Sequence, residues 1–268
     1  MTNDATPRPP AGQPPIDTTV PHSARVWNYW LGGQDNYPAD RAAGDQVLAI
    51  FPAIVEVARA QRAFLDRAIS YLAVEAGLRQ FLDAGSGLPT AGATHQIAQR
   101  IAPATRVVYA DNDPTLLAHA RSVLTSTPEG ATDYVAGDLR APDQLTGAAR
   151  GTLDLHQPVG LVLLGVLGHV GDDGEARSIV ERLMTALAPG SYLVLADGTD
   201  ISEAGNEAQR QYNERSPLPY HLRSPDRIGA FFAGLDLVEP GVVPCSQWRN
   251  PAAPPQGEAA VGGVARKP

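Results

Sequence analysis

Three aspartates, Asp83, Asp111 and Asp138, each follow a short apolar run, and their spacing suggests one binding site. Asp83 opens the stretch Asp83-Ala84-Gly85-Ser86-Gly87-Leu88-Pro89-Thr90, directly after Phe81-Leu82. A chain that leaves a strand and enters a helix within a few residues needs φ > 0 somewhere, and glycine supplies it without a Cβ clash. The bare backbone also lets a ligand approach the amide N–H groups at the helix N-terminus. A carboxylate ahead of such a turn repels a pyrophosphate and attracts an amine. The dinucleotide fingerprint wants a third small residue, whereas Gly87 is followed by Leu88, Pro89 and Thr90. Asp111 lies 24 residues beyond Gly87, near the spacing at which an acid reaches a ribose hydroxyl pair. Asp113 is the better N-cap for a helix opening at Pro114, which leaves Asp111, with Asn112 beside it, for the ligand. Asp138 suits an exocyclic amine, with Leu139 covering the ring of an adenine. His169 is a candidate general base, although a lone histidine behind an apolar strand is more often a hydrogen-bonded structural residue.

These residues need a scaffold that brings strand ends together. From residue 80 the pattern alternates between strands and helices. Strands are expected at 80–84, 106–110, 134–136, 159–164 and 192–196, with helices at about 91–101, 114–125, 174–187, 203–215 and 225–233. Residues 235–243 and 262–265 make a closing hairpin. Val159-Gly160-Leu161-Val162-Leu163-Leu164 has no polar alternation, as suits a central strand buried on both faces. The expected fold is α/β, a doubly wound, mostly parallel, seven-stranded sheet in which ligands bind outside the carboxyl ends of the strands. Ahead of it, residues 22–77 read as a helical cap. Ser23–Leu31 is a short amphipathic segment stopped by Gly32-Gly33, Pro38 opens the next helix, and Ile54, Val57, Ala58, Gln61, Leu65, Ala68, Tyr71 and Leu72 form one helix face. The loop from Trp27 to Tyr37 is a candidate lid over the acceptor, with Tyr29, Gly33, Asp35, Asn36 and Tyr37 as its contact residues. Residues 1–21 carry six prolines among small polar residues and read as a disordered tail.

Composition narrows the function. At 268 residues, 43% hydrophobic and 19% charged, the chain suits one soluble domain with a cap, residues 78–268 forming the ligand-binding unit. No apolar run is long enough to span a bilayer, and no secretory pattern opens the sequence. A single cysteine, Cys245, forms no intrachain disulfide, no Cys/His cluster has metal-site spacing, and a cytoplasmic location is expected. A net charge of −8 argues against nucleic acid as the partner.

Asp83-x-Gly85-x-Gly87 with Asp111 and Asp138 resembles the class I S-adenosylmethionine (SAM)-dependent methyltransferases. The runs from Ala24 to Tyr37, from Arg79 to Thr90, Ala188-Pro189-Gly190-Ser191-Tyr192 and Leu237-Val238-Glu239-Pro240-Gly241 look like one bacterial branch. That branch was first catalogued as a domain of unknown function and named S-adenosyl methyltransferase. The resemblance extends from about residue 22 to the C-terminus. It implies a Rossmann-like fold with a helical N-terminal cap and SAM as cofactor, held by Asp83, Gly85, Ser86, Gly87, Asp111, Asn112, Asp138 and Leu139. It implies no acceptor. Where relatives carry a bulky aromatic close after the histidine region, this chain has Gly168-His169-Val170. The Asn-Pro-Pro-aromatic signature of amide and adenine N-methylation is missing, which favours an oxygen or another small-molecule acceptor. Two other classes compete: a non-catalytic SAM- or nucleoside-binding regulator, which needs no acceptor cavity, and an NAD-dependent oxidoreductase, which needs neither Asp83 nor Asp138.

Overall fold

The computed structural model of the chain describes residues 17–88, 92–113, 125–252 and 259–268. The apolar runs form the middle of a sheet covered on both faces. Strands β1 (Gln80–Ala84), β2 (Arg106–Asp111), β3 (Ala131–Ala136), β4 (Gly160–Leu164) and β5 (Tyr192–Gly198) are parallel. Strands β6 (Asp236–Leu237) and β7 (Val243–Pro244) pair antiparallel with β8 (Ala260–Arg266), which itself pairs antiparallel with β5. Ala265 faces Leu193 on one side and Leu237 on the other, while Gly262 faces Ala196 and Val243. The two short strands are thus one edge strand interrupted over residues 238–242. The order is β3-β2-β1-β4-β5-β8-β6, seven positions filled by eight strands. Because the chain passes from β3 to the far side of β1, the topological switch point lies between β1 and β4, where a ligand is expected beyond the carboxyl ends.

Alternation along the strands assigns the two faces. Phe81, Val107, Val162 and Val194 pack with Phe64, Leu65, Ile69 and Leu72 of α3 (Ile54–Val74) and Ile97 of α4 (Thr94–Ile101). Each such side chain contributes roughly 1.5–3 kcal/mol when fully buried. Leu82, Val108, Leu161 and Leu193 face the other way, toward Leu145 of α5 (Pro142–Ala149) and Ile179, Val180 and Leu183 of α6 (Asp173–Thr185). Helix α7 (Glu203–Asn213), capped by the Ser202 hydroxyl on Gly205 N–H, and the short α8 (Pro225–Gly229), capped by Ser224, complete the chain.

Several expectations shift. Helix α5 was not expected; its eight residues include Gly147 and Thr146, which weaken any periodic signal. β3 begins at Ala131 rather than Tyr134, and α8 ends at Gly229, with a 3-10 turn at Ala230–Phe232. The expected helix at 114–125 lies almost wholly outside the described residues, as do Pro89, Thr90 and most of the expected tail. The tail's last five residues are described, and they are tied down: Arg25 Nη2 donates to Asp17 O at 3.2 Å and Val20 O at 2.6 Å.

Arg25 belongs to α1 (Ser23–Trp30), which is joined to α2 (Pro38–Ile50) by one buried carboxylate. Asp40 is fully buried. It accepts from Arg25 Nε at 2.9 Å, from His22 N–H at 2.8 Å and from Tyr37 N–H at 2.8 Å. Three donors on one carboxylate fix the angle between the helices. Asp40→Ala leaves the Arg25 guanidinium buried beside two orphaned amides, so it is expected to cost about 3–5 kcal/mol. Urea unfolding of the two proteins measures it; a loss within experimental error would mean that α1 and α2 are held elsewhere.

Candidate functional site

The glycine turn after β1 is required by what lies against it. Gly85 and Gly87 have φ of 76° and 63°, and a Cβ on Gly85 would stand 2.2 Å from Val166 Cγ2. Gly85 N–H donates to Ala110 O at 2.8 Å, and Gly87 N–H donates to Asp111 Oδ2 at 3.0 Å. Beneath the turn, the Tyr134 hydroxyl donates to Gly87 O at 2.8 Å, so the Ser86 hydroxyl 2.7 Å away donates to Tyr134. The Tyr134 ring stacks on Tyr109, whose hydroxyl accepts His95 N–H at 2.8 Å. Thr94 at the start of α4 donates to Asp83 Oδ2 at 2.6 Å.

Asp111 is therefore not the free carboxylate that the sequence suggests. Besides Gly87 it accepts Asp113 N–H on Oδ1 at 3.0 Å, and it retains lone pairs on both oxygens. The helix that Asp113 was expected to cap lies outside the described residues; Asp113 Oδ2 stands 3.2 Å from His22 Nε2. His22 Nδ1 accepts Ala24 N–H, which puts the imidazole proton on Nε2, facing Asp113. The N-terminus of α1 is thereby pinned to the end of β2.

A cavity of about 410 Å³ opens at this edge of the sheet. Asp83, Gly85, Ser86, Gly87, Asp111, Asn112, Asp138, Leu139 and His169 all line it. The five expected lid contacts do not. Tyr29 donates to Asp45 Oδ1 at 2.7 Å, and Asn36 Nδ2 donates to Asn28 Oδ1 and Gly33 O, both at 2.9 Å. Asp35 N–H also donates to Asn28 Oδ1, and Tyr37 N–H goes to Asp40. These polar groups pair within the loop and with α2, and the cap reaches the cavity instead through Trp27, Trp30 and Leu31. Sequence reasoning also missed Gln61 and Arg62 of α3, and Tyr212 and Tyr220, as wall residues. Gln61 left a trace, since it falls on the otherwise apolar face of its helix; Tyr220, in a connection after α7, left none.

Charge and burial shape the site. Burial pushes the Asp83 carboxyl up to about 6, against the Thr94 hydrogen bond and the Arg62 charge, which favour ionisation, while Asp111 adds repulsion. Asp111 is also raised by burial, opposed by its two N–H donors and by His22. Asp138 Oδ1 accepts Arg140 N–H at 2.9 Å in a local turn and still faces the cavity. His169 Nδ1 lies 3.0 Å from Pro219 O and its ring packs edge-on to Tyr220. Tyr220 in turn donates to the buried Asp197 carboxylate.

The donor set fits SAM: desolvated acids for an ammonium and a ribose, a glycine cradle that a Cβ would fill, and an apolar floor at Leu139. Strand order and site together define a class I SAM-dependent methyltransferase. A model of the S-adenosyl methyltransferase family matches residues 10–268, and the chain belongs to that family. Its cofactor is SAM and its reaction is methyl transfer. The chain is 43% identical to a DUF574 family protein of Streptomyces avermitilis, with 94% of this chain and 99% of the other covered at a TM-score of 0.89. It is 36% identical to a candidate methyltransferase of Thermobifida fusca, covering 94% and 96% at a TM-score of 0.85. A carboxy-S-adenosyl-L-methionine synthase of Chromohalobacter salexigens is 30% identical over 113 residues, which are 41% of this chain and only 37% of that protein.

Two measurements follow. Asp111→Ala removes the expected ribose acceptor and frees the Gly87 amide; since charge-assisted bonds carry roughly 1.5–3 kcal/mol, SAM affinity by calorimetry is expected to fall about 10- to 100-fold. Unchanged affinity would remove Asp111 from the site. A bound ammonium favours ionised Asp83, so a proton must leave whenever SAM binds below pH 6. SAM affinity is expected to be level above that pH and to weaken by up to about tenfold per unit below it. A flat profile down to pH 5 would contradict the ion pair.

Proposed function

We propose that the acceptor is a compact small molecule carrying an ionisable hydroxyl, that it binds beneath α1 and α7, and that His169 takes its proton. The observation that carries this reading is the contact of His169 with Pro219. A carbonyl oxygen only accepts, so Nδ1 bears the proton and Nε2 is left as the lone-pair nitrogen of a ring that lines the cavity. Burial holds the imidazole below its ordinary value of 6.5, which keeps it neutral at pH 7, the form a base requires. SAM held at Asp83, Gly85–Gly87 and Asp111 would supply a methyl carbon activated by its sulfonium, with the C–S electron pair left on sulfur, and His169 Nε2 would take the proton released by the acceptor hydroxyl. The chain's own part is to align, to exclude water and to accept that proton.

Support for the acceptor class comes from the walls. Trp27, Trp30, Phe51 and Leu218 present apolar and aromatic surface, and 410 Å³ is near the lower end for small-ligand pockets. The negative net charge disfavours nucleic acid. No described helix is long and apolar enough to cross a membrane, and the one cysteine is buried and free. The free cysteine favours the reducing cytoplasm.

The test is to incubate the protein with methyl-labelled SAM and cell extract separated into low-mass and macromolecular fractions. Label is expected in the low-mass fraction as a methyl ether; label in protein or nucleic acid would overturn the acceptor class. With that acceptor, His169→Gln is expected to lower turnover by about 100-fold or more, with S-adenosylhomocysteine affinity within twofold of the parent. The parent's rate is expected to fall on the acid side, below pH 6.5. Full turnover in the variant would assign the proton to another acceptor.

A further inference from the structure

Behind His169 lies a carboxylate that neither cofactor binding nor proton transfer uses. Asp197, the next-to-last residue of β5, is 1% exposed. Its Oδ1 accepts the Tyr220 hydroxyl, and its Oδ2 has no hydrogen-bond partner among the described residues. Burial pushes the Asp197 carboxyl up to about 6, opposed by the Tyr220 hydroxyl, the Arg223 charge and the Gly198 and Gly168 amides, so it is ionised at pH 7. A desolvated carboxylate with an idle oxygen is costly. The connection that carries Tyr220 does not need it as an anchor. Asn213, at the end of α7, accepts Tyr220 N–H at 2.9 Å and donates to Tyr220 O at 2.8 Å. His221 N–H donates to Gly168 O at 2.8 Å, and Arg223 donates to Asp173 at 2.8 Å and to Leu167 O at 3.0 Å. What the bond to Asp197 adds is the direction of the Tyr220 ring. That ring lies against the 3-10 turn Leu167–His169: a Cβ on Gly168 would stand 2.3 Å from its Cε2 and Cζ, and the His169 ring meets it edge-on with centroids 5.1 Å apart. The residue just before Tyr220, Pro219, supplies the carbonyl that takes the His169 Nδ1 proton.

We propose that Asp197 and Tyr220 are positioning residues for His169: the carboxylate fixes the phenol, the phenol ring and the Pro219 carbonyl fix the imidazole, and Nε2 is left unprotonated toward the cavity. The hydrogen bond made by one ring nitrogen sets which of the two carries the proton, and a base in the wrong tautomer is a poor base even where the geometry survives. This role rests on His169 as the proton acceptor and adds what holds it in that form. Tyr220 is poorly suited to take the proton itself, because its hydroxyl already donates to Asp197 and accepts Gly198 N–H at 3.2 Å. Gly168 follows from the same arrangement, since any side chain there would push the phenol ring off His169.

The experiment is nitrogen NMR of the 15N-labelled full chain at about pH 8, where the imidazole is neutral, with the His169 signals assigned by their loss in His169→Gln. Tyr220→Phe, Asp197→Ala, Asp197→Asn and the double variant Tyr220→Phe/Asp197→Ala are compared, each first checked by a thermal melt. The parent is expected to show His169 in the Nδ1–H form alone. Tyr220→Phe and Asp197→Ala are each expected to show both tautomers, so either one that folds provides the contrast. Asp197→Asn, whose amide oxygen still accepts the phenol, is expected to keep the single form. Turnover with methyl-labelled SAM and the low-mass extract is expected to fall about 10- to 100-fold in Tyr220→Phe and Asp197→Ala, and no further in the double variant, because both remove one link. S-adenosylhomocysteine affinity is expected to stay within twofold in Asp197→Ala. An unchanged tautomer in the folded variants, or Asp197→Asn as damaging as Asp197→Ala, would overturn the positioning role and leave His169 as the base. Full turnover in His169→Gln would overturn the base reading, whatever the tautomers.

Discussion

The bond from the Gly87 amide to the Asp111 carboxylate joins the turn after β1 to the end of β2, and the site is arranged around it. It holds the turn against the strand edge while Tyr134 supports it from below, so the bare backbone of Gly85–Gly87 faces the cavity. It also obliges a carboxylate to stay where water is scarce. Asp111 and the neighbouring Asp83 are both desolvated, both have raised pKa values, and they repel one another. A ligand bearing an ammonium and vicinal hydroxyls relieves that repulsion with charge and hydrogen bonds in the right places; a pyrophosphate would add to it. The choice of SAM over a dinucleotide therefore rests on electrostatics more than on shape.

The cap contributes through the same edge. Asp40 fixes α1 against α2, and His22, the N-cap of α1, meets Asp113 just beyond Asp111. The wall that carries Trp27 and Trp30 is thereby registered to the strand ends that line the cavity. One cavity is lined by both the strand-end acids and these aromatic residues, with His169 between Pro219 and that space.

What was legible in the sequence followed from periodicity and local turn chemistry. The buried strands, the glycine turn and the strand-end acids carry signals within a few residues, because a parallel sheet buries both faces and a tight turn needs glycine. The polar loop from Asn28 to Tyr37 misled because residue types show that a loop is rich in donors and acceptors but not what they satisfy. There they close the loop's own backbone groups, which must be paired somewhere. Gln61 was visible as a polar residue in an apolar stripe, and the packing reading absorbed it. Arg62, one residue round the helix, and Tyr220, brought in by a connection after α7, became wall residues only through tertiary placement.

The most direct measurement is a crystal structure of the protein with S-adenosylhomocysteine. The ribose hydroxyls should lie on Asp111, the adenine between Asp138 and Leu139, the amino-acid end beside Asp83, and the sulfur should face His169. A ligand seated elsewhere, or one in the cavity with its sulfur turned away from His169, would contradict this arrangement.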